Sequence, residues 1–218
     1  MFTFEVLFSS FFGQILLVAV IITILAIIYF IAPKKNNDSK NRGYSLTVSA
    51  VLMALAFTVN NFPIFKMPQG GSVTLCSMLL LYLIGYFLGV RIGIFAGIAF
   101  GLLDLLIDPS AYYPIQVLLD YPIAFALIGT GAFLRDRKSG LYTGYVLGML
   151  GRFVCSFLSG VIFFGEYAPE GYSSIGWSLW YNVTYLGVET ALTLVVIFVP
   201  LVHNMIFRVK KSFDLMGF

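Results

Sequence analysis

Long apolar runs separated by short polar stretches dominate this chain, and they constrain its fold more than any other feature. Breaks at charged and turn-forming residues divide the sequence into apolar segments, most of them close to the roughly 20 residues that a helix needs to cross a bilayer. These segments run from Phe8 to Ile31, Tyr44 to Asn60, Val73 to Gly89, Ile92 to Ile107, Pro114 to Leu134, Leu141 to Phe164 and Trp177 to Phe207. The sequence therefore predicts an all-α fold, a polytopic helical bundle in a membrane.

The composition excludes several classes of protein. Of the 218 residues, 60% are hydrophobic and 11% are charged, whereas a soluble domain carries roughly a quarter charged residues. Cys76 and Cys155 lie in apolar surroundings and predict neither a disulfide framework nor a metal site. No glycine is followed by lysine, so the chain has no P-loop for hydrolysing ATP. We expect no cofactor, no metal ion and no nucleic-acid partner, and any ATP-driven step must be performed by another protein.

The distribution of basic residues indicates how the helices are oriented in the membrane. Most of the 13 lysines and arginines fall on one side of the predicted bundle, namely Lys34, Lys35, Lys40, Arg42, Arg91, Arg135, Arg137, Lys138, Arg208, Lys210 and Lys211. Because basic loops stay in the cytoplasm, we expect the C-terminus inside and the N-terminus outside. The loops Asn61 to Ser72, Asp108 to Tyr113 and Gly165 to Gly176 would then meet at the outer face.

An acidic residue interrupts the apolar run VLLDYPIAFALIG. An ionisable group at membrane depth is costly, and by default it has a function. Pro114 is expected to begin this helix, which would put Asp120 about two turns below the outer surface. A ligand-binding role and a structural hydrogen bond or ion pair are both open for Asp120. A direct pair with Arg152 is disfavoured, because Arg152 lies closer to the cytoplasmic end of its own helix. Tyr121 would help to line a pocket.

An aromatic segment, FFGEYAPEGYSSIGWSLWYNVTY, lies between two apolar spans and holds both tryptophans of the chain. At helical spacing Trp177, Tyr181 and Tyr185 share one face, with Trp180 to the side. One interpretation is an aromatic belt at the lipid interface, and the other is the wall of a site for a flat organic molecule. Asn182 favours the site, because its amide can both donate to and accept from a heteroaromatic edge.

Small residues and further carboxylates indicate how the helices pack. Asp104 and Glu189 are either a second polar wall of a site or packing residues. Small residues recur every four positions, which permits close approach of helices, at Gly85, Gly89, Gly93, Gly97 and Gly101. We interpret this glycine series as internal packing. Ala50 and Ala54 repeat the pattern in SAVLMALAF.

Four segments together resemble a known family. In their order and spacing, MPQGGSVTLCSM, QVLLDYPIAFALIG, RFVCSFLSGVIFFGEYAPEG and WSLWYN are similar to the thiamin-specific substrate-binding subunits, or S components, of energy-coupling factor (ECF) transporters. The resemblance covers about Gly43 to Lys211. It implies a multi-pass subunit of a bacterial cell membrane that captures thiamin from outside. A transmembrane coupling protein and two cytoplasmic ATPase subunits would be its partners.

The resemblance also implies a division of the chain. Residues 1–33 would be an extra N-terminal transmembrane helix, 34–43 a polar cytoplasmic linker, 44–211 a six-helix substrate-binding domain and 212–218 a C-terminal tail. We interpret the first helix as a membrane anchor and not as a signal peptide, because Glu5 and no basic residue precedes it.

The resemblance further implies roles for individual residues. Asp120 and Tyr121 match the acidic–tyrosine pair that meets the thiazolium ring, and Asn182 matches the amide that reads the aminopyrimidine. The predicted ligand-binding residues are Asp120, Tyr121, Ser156, Phe164, Tyr167, Trp177, Trp180, Tyr181 and Asn182. Ala50 and Ala54 match the face that meets the coupling protein. The loop from Asn61 to Ser72 corresponds to a lid over the site.

Three positions depart from the family pattern and leave alternatives open. Ser156 stands where the family has a histidine, Phe164 where it has a tryptophan, and Trp177 where it has a tyrosine. A serine lacks the reach of an imidazole, so the ligand could be another heteroaromatic vitamin or a thiamin precursor. An intramembrane enzyme using Asp104, Asp120 or Glu189 is disfavoured, because no nucleophile–base pair or metal-ligand cluster is evident. A scaffold without a ligand would show no saturable binding.

Overall fold

The chain is a helical bundle with one small hairpin, seen in a computed structural model that describes residues 10–33, 39–110 and 112–217. The helices are α1 (Phe11–Ile31), α2 (Ser39–Asn60), α3 (Ser77–Leu88), α4 (Val90–Ile107), α5 (Pro114–Leu134), α6 (Gly140–Phe163), α7 (Ser174–Phe198) and α8 (Pro200–Leu215). Strands β1 (Phe65–Lys66) and β2 (Ser72–Val73) pair antiparallel between α2 and α3. Residues 34–38 of the predicted linker lie outside the described residues.

Six of these helices are long and apolar enough to cross a membrane, namely α1, the part of α2 from Gly43 to Asn60, α4, α5, α6 and α7. The shorter α3 is apolar and is buried along nearly its whole length in the centre of the bundle. Helices α2 to α7 therefore form a six-helix core, and α1 packs outside it against α4 and α5. The predicted all-α membrane bundle, with six core helices and one additional N-terminal helix, is confirmed.

Two predicted helix boundaries are wrong. The third apolar segment begins its helix at Ser77 and not at Val73, because Val73 belongs to the hairpin. The last segment does not continue to Phe207, since the chain leaves the helix at Val199 (ψ 121°) and restarts at Pro200. A residue that precedes proline is pushed out of the α region, which explains the break. The following helix, α8, is a separate element.

Helix α5 contains a π-helical turn that positions the predicted acidic residue. The turn spans Leu119–Ile123 and includes Pro122. Proline has no backbone N–H and clashes with the preceding turn, so a regular α-helix cannot run through it. A Cβ atom at Gly101 of α4 would lie 2.6 Å from the carbonyl carbon of Tyr121, so glycine is what lets α4 approach this turn. The glycine series therefore serves internal packing, as expected.

Candidate ligand-binding site

A cavity of about 410 Å³ lies between the hairpin loop and helices α4 to α7. Seven of the nine predicted ligand-binding residues line it, namely Asp120, Tyr121, Ser156, Phe164, Trp177, Tyr181 and Asn182. Its volume is within the range of small-molecule sites, which runs from roughly 300 to 1,000 Å³. The fold thus brings predicted residues from three helices to one cavity.

The carboxylate of Asp120 is held by neutral donors. Its Oδ2 accepts hydrogen bonds from Gln116 Nε2 at 2.9 Å and from Ser159 Oγ at 2.8 Å. Its Oδ1 has no hydrogen-bond partner in the described part of the chain, and no lysine or arginine there lies within ion-pair distance of Asp120. A carboxylate with this environment is oriented by its neutral neighbours and is not paired directly with a basic side chain of the described residues.

Gln116, which was not among the residues predicted for the site, connects this carboxylate to the loop above it. Its Oε1 accepts from the backbone N–H groups of Tyr112 at 2.9 Å and Tyr113 at 3.3 Å. Its Nε2 donates to the carbonyl oxygen of Ser110 at 2.8 Å as well as to Asp120. Gln116 is 1% exposed. The spacing of four residues from Asp120 on one helix could have indicated this pair.

Tyr121 contributes its ring to the cavity, while its hydroxyl organises a loop. The hydroxyl oxygen accepts from the backbone N–H of Ser110 at 2.7 Å and donates to the carbonyl oxygen of Asp108 at 3.1 Å. Both partners lie in the connection between α4 and α5. The hydroxyl is therefore used within the protein, and Tyr121 lines the cavity.

Asn182 presents an acceptor to the cavity. Its Nδ2 donates to the carbonyl oxygen of Ser178 at 2.9 Å, to Ser178 Oγ at 3.3 Å and to the carbonyl oxygen of Ser156 at 3.4 Å. Its Oδ1 has no donor among the described residues. The amide is thus fixed through its nitrogen, and its oxygen can accept a hydrogen bond from an N–H group of a bound molecule.

Aromatic rings form one wall of the cavity, in the arrangement that their spacing predicts. Trp177, Tyr181 and Tyr185 all line it, and the rings of Tyr181 and Tyr185 meet at 5.5 Å. Trp180 lies to the side, stacked on Trp177 at 5.3 Å and 49% exposed. Tyr167 is also exposed and contacts Phe164 at 6.0 Å. The structure therefore does not bring Trp180 or Tyr167 to the cavity wall, and Trp180 has the position of an interfacial aromatic residue.

The hairpin loop covers the cavity and is tied to its walls. The hydroxyl of Tyr181 accepts from the backbone N–H of Gly71 at 2.9 Å and donates to the carbonyl oxygen of Pro68. Lys66 of β1 forms an ion pair with Asp108 at the end of α4. A Cβ atom at Gly71 would lie 2.7 Å from the Tyr181 hydroxyl oxygen, so a larger residue here would displace the Tyr181 side chain.

The cavity lining contains further polar residues whose role the sequence left open. Asp104 lines the cavity, and its Oδ1 accepts from Asn60 Nδ2 at 2.7 Å. The guanidinium of Arg152 lies over the ring of Phe125 at 4.4 Å, and its buried Nε has no partner among the described residues. Arg152 was not among the residues predicted for the site, because the depth of a residue on its own helix does not show which neighbours surround it.

Glu189 is separate from the cavity lining. It is buried, and its Oε1 accepts from Thr74 Oγ1 at 2.6 Å and from Ser77 Oγ at 3.3 Å. Of the two interpretations for this carboxylate, the packing role fits. The described residues also contain no cluster of three or more histidine, cysteine, aspartate or glutamate side chains that could hold a metal ion.

Two proteins of similar sequence are named thiamine transporters. The thiamine transporter ThiT of Bacillus subtilis is 32% identical in an alignment of 155 residues that covers 65% of this chain and 78% of that protein. The thiamine transporter ThiT of Lacticaseibacillus paracasei is 34% identical in an alignment of 134 residues that covers 52% of this chain and 67% of that protein.

A solved structure of ThiT from Listeria monocytogenes has the same fold. It superposes with a TM-score of 0.60 and 23% sequence identity, covering 80% of this chain and 97% of that one. In addition, residues 46–208 match the family model described as "Thiamine transporter protein (Thia_YuaJ)". The prediction that the chain is a transport protein and not an enzyme is confirmed by this match. The chain is a multi-pass membrane protein that belongs to the thiamine transporter family.

Proposed function

We propose that this chain is the substrate-binding S component of an ECF-type uptake system and that its ligand is thiamin. The observation that carries the proposal is the carboxylate of Asp120, which lines the cavity and forms no hydrogen bond or ion pair with a basic side chain of the described residues. Thiamin bears a permanent positive charge on its thiazolium ring. In a medium of low dielectric constant, attraction between opposite charges is several times stronger than in water.

The remaining walls fit the other parts of thiamin. Asn182 Oδ1 can accept a hydrogen bond from the exocyclic amino group of the aminopyrimidine. The rings of Trp177 and Tyr181 offer flat surfaces on which the two heterocycles can stack. With Asp120 on α5 and Asn182 on α7, the cationic and the hydrogen-bonding ends of one molecule would be read by different helices.

Coupling to partner proteins would use the outer face of α2. Ala50 and Ala54 are both exposed on this helix, next to exposed Val51 and Leu55. Small side chains allow another helix to approach closely. We propose that a transmembrane coupling protein packs on this face, with two ATPase subunits on the cytoplasmic side. The basic loops support an orientation with the C-terminus in the cytoplasm and the cavity facing outward.

A second candidate ligand is a thiamin precursor or another heteroaromatic vitamin. Ser156 favours it, because this short side chain lines the cavity where the family resemblance leads us to expect an imidazole. Without an imidazole at this position, the cavity wall offers a bound ligand one fewer group for stacking or hydrogen bonding.

Calorimetric titration of the purified protein tests both candidates. Thiamin, its aminopyrimidine half and its neutral thiazole half would each be titrated under the same conditions. We expect saturable one-to-one binding of thiamin that is much tighter than that of either half, because only the whole molecule reaches Asp120 and Asn182 together. Absence of thiamin binding, or tighter binding of one half, would contradict thiamin as the ligand.

A further inference from the structure

The additional helix α1 lies outside the part of the chain that matches the family, since the match begins at residue 46. It is nevertheless packed onto the core. Its buried residues are Gly13, Val18 and Leu25. Val18 and Leu25 belong to one apolar cluster with Ile115, Leu119 and Ile123 of α5. The helix therefore contacts the segment that carries Asp120.

The end of α1 is fixed by an arginine from the start of α4. Arg91 Nε donates to the carbonyl oxygen of Tyr29 at 3.1 Å, and Nη2 donates to those of Phe30 at 3.3 Å and Ala32 at 2.8 Å. Its guanidinium also lies over the ring of Tyr29 at 4.9 Å. The last carbonyl groups of a helix have no partner within the helix and attract a cation. Arg91 thus sets the height of α1 along the bundle.

This height places α1 beside the π-helical turn of α5. Counted at 1.5 Å per residue, Val18 lies about 21 Å from Ala32, and Leu119 lies about 22 Å from Leu134 at the same end of the bundle. Leu119 is fully buried and Ile123 nearly so, although both point away from the cavity that Asp120 lines. The side of the turn away from the cavity is therefore covered by α1.

Irregular backbone at membrane depth is stable only where protein covers it or where it lines a cavity. The turn Leu119–Ile123 meets both conditions, with the cavity on one side and α1 on the other. We propose that α1 is a positioning element of the binding site: by covering this turn, it fixes the carboxylate of Asp120 for its cationic ligand. The identity of the cationic ligand in this inference rests on the proposed function. The packing of α1 on the turn and its effect on Asp120 do not depend on which ligand binds.

Two matched pairs of variants in the full chain test the role of α1. Val18→Phe overpacks the contact with α5, whereas Val20→Phe adds the same ring on the outward face of the same helix, because Val18 is 7% and Val20 49% exposed. Arg91→Gln removes the guanidinium that holds the end of α1, and Arg137→Gln removes an exposed arginine from the loop after α5.

The first measurement is amide hydrogen exchange without ligand. We expect Val18→Phe and Arg91→Gln to raise exchange in residues 114–123 while the buried helix α3 exchanges as in the parent protein. The two control variants should behave like the parent. Unchanged exchange in residues 114–123 for both test variants would overturn the proposal, whatever the ligand is.

The second measurement is the rate of thiamin dissociation from the same four variants. We expect it to rise about fivefold in Val18→Phe and Arg91→Gln and to stay unchanged in the controls. Equal rates in all four would overturn the link between α1 and the site. Should Val18→Phe fail to fold, Arg91→Gln and its control decide the question alone. Failure of the parent protein to bind thiamin would contradict the proposed function and leave the exchange result standing.

Discussion

Gln116 and Asp120 lie one turn apart on α5, and the Gln116 amide donates to Asp120 Oδ2 at 2.9 Å while its oxygen accepts from the loop backbone above. The carboxylate is thus fixed to the same loop that Tyr121 holds through Asp108 and Ser110. That loop also meets the hairpin over the cavity, through the ion pair of Lys66 with Asp108. The carboxylate of Asp120 and the hairpin over the cavity are therefore linked through a short chain of hydrogen bonds and one ion pair.

Removing the donor of Gln116 should weaken binding without unfolding the protein. In Gln116→Leu, Asp120 loses one of two hydrogen bonds and the loop loses one anchor but keeps that at Tyr121, so we expect roughly tenfold weaker thiamin binding, as for the loss of about 1.5 kcal/mol. Ser159→Ala removes the other donor. Because both act on one carboxylate, the double variant should depart from additivity in calorimetric titrations. Strictly additive effects would show that the two donors do not act through Asp120.

The hydroxyl of Tyr181 should govern how long the ligand stays. Tyr181→Phe keeps the ring in the cavity wall but removes both hydrogen bonds to the hairpin loop, at Gly71 and Pro68. We expect thiamin to dissociate roughly fivefold faster, with a smaller change in the association rate, as measured by stopped-flow fluorescence. Tyr172→Phe, at an exposed tyrosine on the connection between α6 and α7, is the control and should have no effect. Equal dissociation rates in the two variants would contradict the loop contact.

A bulky residue on the outer face of α2 should separate transport from binding. Ala54→Trp would block close approach of a coupling protein, so we expect thiamin uptake by cells to be lost while the purified protein binds thiamin as before. Ala19→Trp places the same ring on an exposed position of α1 and should leave both thiamin uptake and thiamin binding unchanged. Normal uptake by Ala54→Trp would remove this face from the coupling surface.

The sequence predicted the number of core helices and several cavity residues, for identifiable reasons. Apolar segment length determines how many helices can cross a membrane, and it does not depend on tertiary contacts. A lone acidic residue within an apolar run, such as Asp120, can also be recognised without knowledge of tertiary contacts. The spacing of Trp177, Tyr181 and Tyr185 put them on one face, and all three line the cavity.

Other features depend on contacts between distant segments and could not be predicted from local pattern. Gln116 and Ser159 matter because α5 and α6 meet at Asp120, and a polar residue in either helix is unremarkable by itself. Tyr181 was expected to face the ligand, but its hydroxyl is bonded to a loop more than one hundred residues earlier. The helix break at Val199 was missed because the apolar composition continues through it.

The central claim is that the charge of Asp120 recognises the charge of the ligand, and one set of four affinities tests it most directly. Thiamin and an analogue with a neutral thiophene in place of the thiazolium would be titrated into the parent protein and into Asp120→Asn. We expect the parent to prefer thiamin by about 100-fold and the variant to lose most of that preference, since one partner of a buried charge pair contributes roughly 2–5 kcal/mol. Asp136→Asn, at an exposed loop carboxylate, should keep the parent's preference. The same preference for thiamin in Asp120→Asn as in the parent would contradict the account.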